Sequence, residues 1–226
     1  MSVTARKTLA GPLAALKAML SECTSFQKLV QAANASAALA RIYSVGEEDE
    51  PARPFAIVDL LEDSPVDAAG GTRNFTIPHG RLSLTVEIPL LKTGTVTSGS
   101  SSTVFSDSAL AGFADDHFNG LTLQIGGVER QIADFAGATG TITLSAALSG
   151  TPANGTEFTI YPASVEDAFT WFRNIIGDIK EDLLTLSGAG GYLSLSKFAK
   201  TAEGRSQDDK EDTDYIGIVF EMEYGL

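Results

Sequence analysis

Leu13, Leu16 and Leu20 recur at three- and four-residue spacing, which puts one apolar stripe on one side of a helix. Pro12 suits a first helical turn, where its missing N–H would go unpaired anyway. The pattern predicts a helix over about residues 12–22. Ser25 then opens TSFQKLVQAAN as the cap of a short helix carrying Phe26, Leu29 and Val30. ASAALARIYSV reads as a helical turn running into a strand. After the charged, Pro-broken turn GEEDEPARP, PFAIVDLLED is a buried strand of about residues 54–62. RLSLTVEIPL alternates, with Leu82, Leu84, Val86 and Ile88 on one face, as a half-buried strand does. Between these strands SPVDAAGGTRNFTIPHG is expected to form the irregular arm of an extended antiparallel hairpin.

From residue 93 the periodicity changes. TGTVTSGSSST reads as a flexible low-complexity joint. LTLQI, RQIADF, TITLSAAL and EFTIY are short strands, and HFNG, IGGVE, FAGATG and PANGT supply turns between them. Regular short strands with Gly and Asn turns predict a small β-barrel or sandwich over residues 92–163. Ser164 caps the next helix, with Glu166 and Asp167 near its positive end. Phe169, Phe172, Ile176, Ile179 and Leu183 recur at helical spacing, and Trp171 and Ile175 widen that face. The helix is expected to reach about Leu186 and to end at the Gly188–Gly191 cluster. YLSLSKFAKTA is a strand, EGRSQDDKEDTD an acidic loop, and DYIGIVFEMEYGL the last strand.

Removing residues 92–163 leaves helix, strand, strand, helix, strand, strand. The fold class expected is therefore α+β. Two αββ halves, residues 1–91 and 164–226, form one antiparallel sheet packed by helices, and an all-β domain is inserted at 92–163.

Composition narrows the chemistry. The net charge of −13 falls unevenly, with 13 of the 29 acidic residues in residues 164–226. Such a chain repels phosphate backbones and is a poor general nucleic-acid binder, though carboxylates suit a channel through which DNA slides. No run of about 18 apolar residues predicts a membrane helix. The basic, apolar start resembles a secretory leader, but Lys17 interrupts it and Glu22 follows it, so a cytosolic product is expected. Cys23 is the single cysteine, which excludes an internal disulfide and a cysteine metal site. It reads as a small buried hydrophobe, since neither His79 nor His117 offers a nucleophile's partner in a known motif.

No phosphate loop, dinucleotide fingerprint, zinc-protease or serine-nucleophile motif occurs. Asp115-Asp116-His117 is the one tight acid/His grouping. A metal needs three or more convergent ligands, whereas a turn before Phe118-Asn119-Gly120 needs none. The acids of 208–214 lack the spacing of a calcium loop and read as solvated, lumen-facing or partner-facing. Trp171 and the phenylalanines beside it fit a core better than a ligand pocket. No catalytic, metal or cofactor-binding residue is assigned, no cofactor is expected, and the chain is not expected to be an enzyme.

SFQKLVQAANASAALARIYSVGEEDEPARPFAIVDLLED, with the extended hairpin to RLSLTVEIPL, resembles the start of phage tail terminator (tail-completion) proteins. SVEDAFTWFRNIIGDIKEDLL, YLSLSKFAK and IGIVFEMEYG resemble their ending. The resemblance covers about two-thirds of the chain and rests on element order and character. DDHFNGLTLQIGG, RQIADFAGATGTITLSAALSG and PANGTEFTIYP resemble a small β module that recurs in phage structural proteins and is absent from basic terminators. The resemblance implies a virion protein of the tail or neck, made in the host cytoplasm. It implies a ring, usually of six copies, that caps the tail tube, ends its growth and accepts the head. The partners implied are the chain itself, the tail tube protein and a head-completion or connector protein, with DNA passing through the hole unbound and no membrane involved. Candidate contact residues are Asp63, Arg73, Asn74 and Phe75 on the arm, Asp208, Asp209, Lys210, Glu211 and Asp212 on the acidic loop, and Tyr224 near the C-terminus. The alternatives are a tube or head–tail joining protein, and a surface- or carbohydrate-binding module working through residues 92–163.

Overall fold

A computed structural model describes residues 11–46, 53–67, 76–113, 115–188, 193–208 and 213–225. The elements in chain order are α1 (Gly11–Glu22), α2 (Thr24–Leu29), α3 (Ala35–Leu39), β1 (Ile42–Ser44), β2 (Phe55–Asp67) and β3 (Thr76–Pro89). They continue with β4 (Lys92–Thr95), β5 (Ser98–Gly99), β6 (Val104–Ser106), a 3₁₀ turn (Ser108–Leu110), β7 (Thr122–Ile125), β8 (Val128–Ala136), β9 (Thr141–Leu144) and β10 (Glu157–Tyr161). The chain ends with α4 (Val165–Leu186), β11 (Ser194–Asp208) and β12 (Thr213–Gly225). The fold is α+β with two sheets. No helix among the described residues is long and apolar enough to cross a membrane.

By packing, the chain divides into two units. Met1–Ile88, Gly177–Gly204 and Gly217–Leu226 make the first, and Pro89–Ile176 with Arg205–Ile216 make the second.

In the first unit α1 lies against β2; of the expected stripe Leu16 and Leu20 are fully buried, Leu13 is only half-buried, and Met19 joins the buried face instead. The sheet runs β1-β2-β3-β12-β11. β2 and β3 pair antiparallel from Phe55↔Glu87 to Asp67↔Thr76, with a bulge between Leu60 and Glu62. Leu82, Leu84, Val86 and Ile88 are buried on the expected face. The sheet is not antiparallel throughout, because β1 joins β2 in parallel, Ile42↔Ala56 to Ser44↔Val58.

Two expected loops are largely ladder. In the arm expected over 63–79, β2 continues to Asp67 and β3 starts at Thr76, with Pro65 opposite Pro78. An antiparallel ladder uses only alternate N–H groups on each side, so a strand tolerates proline at a position whose N–H the ladder does not need. In the acidic stretch 203–214, β11 runs to Asp208 and β12 starts at Thr213. Thr201 Oγ1 donates to the Val219 carbonyl (3.4 Å), Lys197 Nζ meets Glu223 Oε1 (2.6 Å), and Arg205 bonds Asp214. Charged side chains remain solvated on an exposed hairpin while its backbone pairs, so charge density alone does not make a loop.

α4 begins as its sequence predicts. Ser164 Oγ accepts from the Asp167 N–H (3.1 Å) and donates to Asp167 Oδ2 (2.7 Å). Ala168, Phe172, Ile175, Ile176, Ile179 and Leu183 form its buried face, and Gly188 follows its end with φ 72°. Each of the phenylalanine, isoleucine and leucine side chains among them contributes about 1.5–3 kcal/mol when fully buried. Ser25 is not a cap as expected: α2 starts at Thr24, and the Ser25 N–H donates to Asp182 Oδ2 of α4 (2.8 Å).

In the second unit a seven-stranded sheet runs β4-β10-β7-β8-β9-β6-β5. Its tightest hairpin is Gly126-Gly127, both at positive φ, joining Ile125 to its cross-strand partner Val128. β8 changes partner midway, pairing with β7 up to Gln131 and with β9 from Ile132, where a bulge turns the strand. The two outermost strands, β4 and β5, are consecutive in the chain. The sheet curls but does not close into the barrel that was one of the two forms expected. Phe105, Leu110, Phe118, Leu123, Phe135, Ile142 and Phe158 are at its core, with Trp171 packed against them. The joint expected to be flexible, residues 93–103, is part of this sheet: β4 pairs with β10, β5 with β6, and Val96 between them is 1% exposed. Threonines at alternate positions serve a strand as well as a linker, so low complexity did not reveal it.

Candidate functional site: strand edges, hollows and buried acids

The arm places Asp63 on β2, opposite Gly80 of β3. Arg73, Asn74 and Phe75 lie outside the described residues, as do Asp209, Lys210, Glu211 and Asp212. Asp208 is the last residue of β11. β2 and β11 are separated in the sheet by β3 and β12. The structure therefore puts Asp63 and Asp208 on different hairpins and gathers no single patch from these candidates. Tyr224 is 2% exposed on β12, so its ring belongs to the interior.

The acid/His grouping is a turn whose acids already have partners. Asp115 Oδ1 accepts from the Gly137 N–H (2.8 Å), and Asp116, at φ 63°, accepts from Asn119 Nδ2 (2.7 Å). The His117 ring lies among Phe113 (4.6 Å between centroids), Phe118 (4.6 Å) and Trp171 (5.8 Å). Trp171 Nε1 donates to the His117 carbonyl at 2.8 Å, so Trp171 also fastens this turn. Among the described residues no three acids, histidines or cysteines gather as metal ligands. The Cys23 thiol donates to the Met19 carbonyl (3.4 Å). Burial, with Asp182 and Glu22 adding to it, pushes its pKa far up, which disfavours the thiolate a nucleophile needs.

Sequence reasoning missed Asp107, which is 2% exposed. Oδ2 accepts from the Thr95 N–H and Oδ1 from the Ala109 N–H, each at 2.9 Å, so one carboxylate ties an edge strand to the 3₁₀ turn. Burial lowers the pKa of Lys92, and the charge of Asp107 opposes that shift. The available signal was the Asp-Ser-Ala-Leu order, an acid just before a short turn of helix.

Two hollows lie within the second unit. One of about 500 Å³ is lined by Leu91, Tyr161, Ser164, Val165, Arg205 and Asp214, with the Arg205–Asp214 bond in its wall. The other, of about 460 Å³, is lined by Thr93, Thr95, Asp107, Glu157 and Thr159, with Gly94 and Phe158 between them. Neither brings together a nucleophile, base and oxyanion donor. The open features of the first unit are its sheet edges: β11 has no strand on its outer side among the described residues, and β1 covers β2 only at Ala56–Val58. No protein-family model matches this chain, and no curated protein sequence matches it.

Proposed function

We propose that this chain is a ring-forming structural protein of a long-tailed phage particle. In this reading it caps the tail tube, ends tube growth and presents the surface to which the head joins. One observation carries the reading: two helix–hairpin halves contribute the long hairpins β2–β3 and β11–β12 to one sheet whose outer edges remain available. Edges of this kind support assembly between copies. The acidity of the chain suits a hole that lets DNA pass without holding it. The ring is taken to hold six copies, between the tube protein below and a head-completion or connector protein above.

A second reading is a carbohydrate- or surface-binding module, favoured by the hollow where Thr93, Thr95 and Thr159 present hydroxyls beside Glu157. A glycan array on the whole protein tests it: saturable binding abolished by Glu157→Ala would move function to that face.

Immunogold electron microscopy on virions tests the main reading. Label confined to the head–tail neck supports it. Label along the tail, on the capsid or nowhere on the particle overturns it.

A further inference from the structure

We propose that copies of this chain join head to tail by β-pairing, the outer edge of β11 in one copy adding to the outer edge of β2 beyond Val58 in the next. The proposal rests on the ring reading for closure alone; edge pairing itself is a property of the sheet.

β11 spans 15 residues and is the terminal strand of its sheet. Its backbone groups on that side have no strand partner among the described residues. At the opposite end, β1 pairs with β2 for three residues, and the ladder partners of β2 from Asp59 onward are those of β3 alone. Among the described residues one sheet thus has two uncovered edges, the 15 residues of β11 and the stretch of β2 from Asp59 to Asp67.

The two edges differ in charge. From Asp59 to Asp63, β2 holds three acids and no base. From Ser194 to Gly204, β11 holds Lys197, Lys200 and one acid, Glu203. Both lysines have partners on their own hairpin, Lys197 with Glu223 (2.6 Å) and Lys200 with Glu203 (2.7 Å). Such exposed pairs are weak and exchange readily. Pairing β2 with a second β2 sets acids against acids, which is unfavourable across a ladder. Pairing β11 with β2 sets bases against acids. At the centre of each edge is an apolar position: Leu61, 42% exposed at the β2 bulge, and Ala199, exposed on β11 between the two lysines. A second copy is therefore the occupant whose chemistry matches both edges, and the match is between unlike edges. A contact between unlike surfaces leaves one of each free at the ends, so it propagates until the rotation closes it.

The test uses engineered cysteines on the full chain. Cys23 is buried and does not compete. Leu61→Cys and Ala199→Cys chains are mixed and oxidised at the highest soluble concentration, with Thr185→Cys, on the exposed side of α4, as control. The expected result is a Leu61–Ala199 mixed disulfide several-fold in excess of either homodisulfide and of any product with the control. Lys197→Glu with Lys200→Glu should abolish it, and Asp59→Lys with Glu62→Lys in the partner chain should restore it. Homodisulfides alone, or mixed product no faster than the control, overturn the proposal and leave the ring reading to the neck-labelling experiment. A chain carrying both cysteines reads closure separately. A ladder ending at one discrete size supports the ring. An unlimited ladder keeps the edge pairing and removes the ring.

Discussion

Asp107 shows how much one side chain can organise. It fastens Thr95 to the 3₁₀ turn, and two glycines make room around it. A Cβ on Gly94 would meet Asp107 Oδ2 at 2.6 Å and overlap the Phe158 ring, while one on Gly140, at φ 63°, would overlap the Asp107 carbonyl. Gly94→Ala should cost about 1–3 kcal/mol by overpacking. Gly140→Ala should cost at least as much, because left-handed strain adds to the overlap. Asp107→Ala leaves two N–H donors without their acceptor, at about 1–3 kcal/mol for each one that stays buried. Chemical denaturation of the three variants measures these losses. At the same scale, Cys23 should react with a thiol reagent only through opening of the protein, so that adding denaturant accelerates labelling while the folded chain stays protected. The sequence made Cys23 readable, as a lone thiol inside a helical apolar pattern. Asp107 was hidden because a buried acid and an exposed one look alike until the backbone they bind has folded around them.

At the scale of elements, α4 was the most legible part of the chain. Its cap, apolar face and glycine stop all act within a few residues of each other. Phe172→Asp with Ile176→Asp puts two charges on that buried face and should abolish the cooperative melt, since unpaired buried charge costs several kcal/mol. The exposed face offers a pH test. Burial raises the pKa of Asp178, Glu181 and Asp182 raise it further, and Lys28 opposes them. A carboxyl whose folded value lies above its unfolded value contributes stability at low pH, and that contribution is lost as pH rises through the folded value. Asp178→Asn should therefore melt above the wild type at neutral pH, and the gap should close as pH falls towards the ordinary aspartate range. Melts across that range decide it. The less legible elements were those whose strand structure comes from a partner and not from their own residues. Residues 203–208 read as loop from their charges, 63–67 as part of the irregular arm, and 93–99 from low complexity, yet β2 pairs with β3 as far as Asp67↔Thr76, β4 pairs with β10, and β5 pairs with β6. Ser25 misled for the same reason, because the Asp182 carboxylate that takes its N–H is on another helix.

At the scale of the whole molecule, Trp171 is a convenient reporter because it is the only tryptophan. Replacing residues 94–162 with a short Gly/Ser linker removes His117 and the aromatic core that Trp171 packs against. The emission should shift to the red while a cooperative thermal transition persists from the sheet of β2, β3, β12 and β11. Loss of that transition would show that the sheet does not stand without the inserted strands. Function was the least legible property. Charge, one cysteine and two separated histidines narrow the chemistry. The surfaces proposed here for assembly are strand edges, and an edge exists only after the order of strands is set.

That order has one further consequence for the smaller sheet. β4 and β5 are its two outer strands and also neighbours in the chain, joined by Val96, 1% exposed, and Thr97. Fraying ordinarily begins at whichever margin is looser and leaves the other undisturbed. Here both margins are one short piece of chain anchored at its midpoint, so neither can peel far without drawing Val96 out of the core. The module should open as a single event, with amide hydrogens on either side of Val96 showing a common opening free energy in hydrogen exchange.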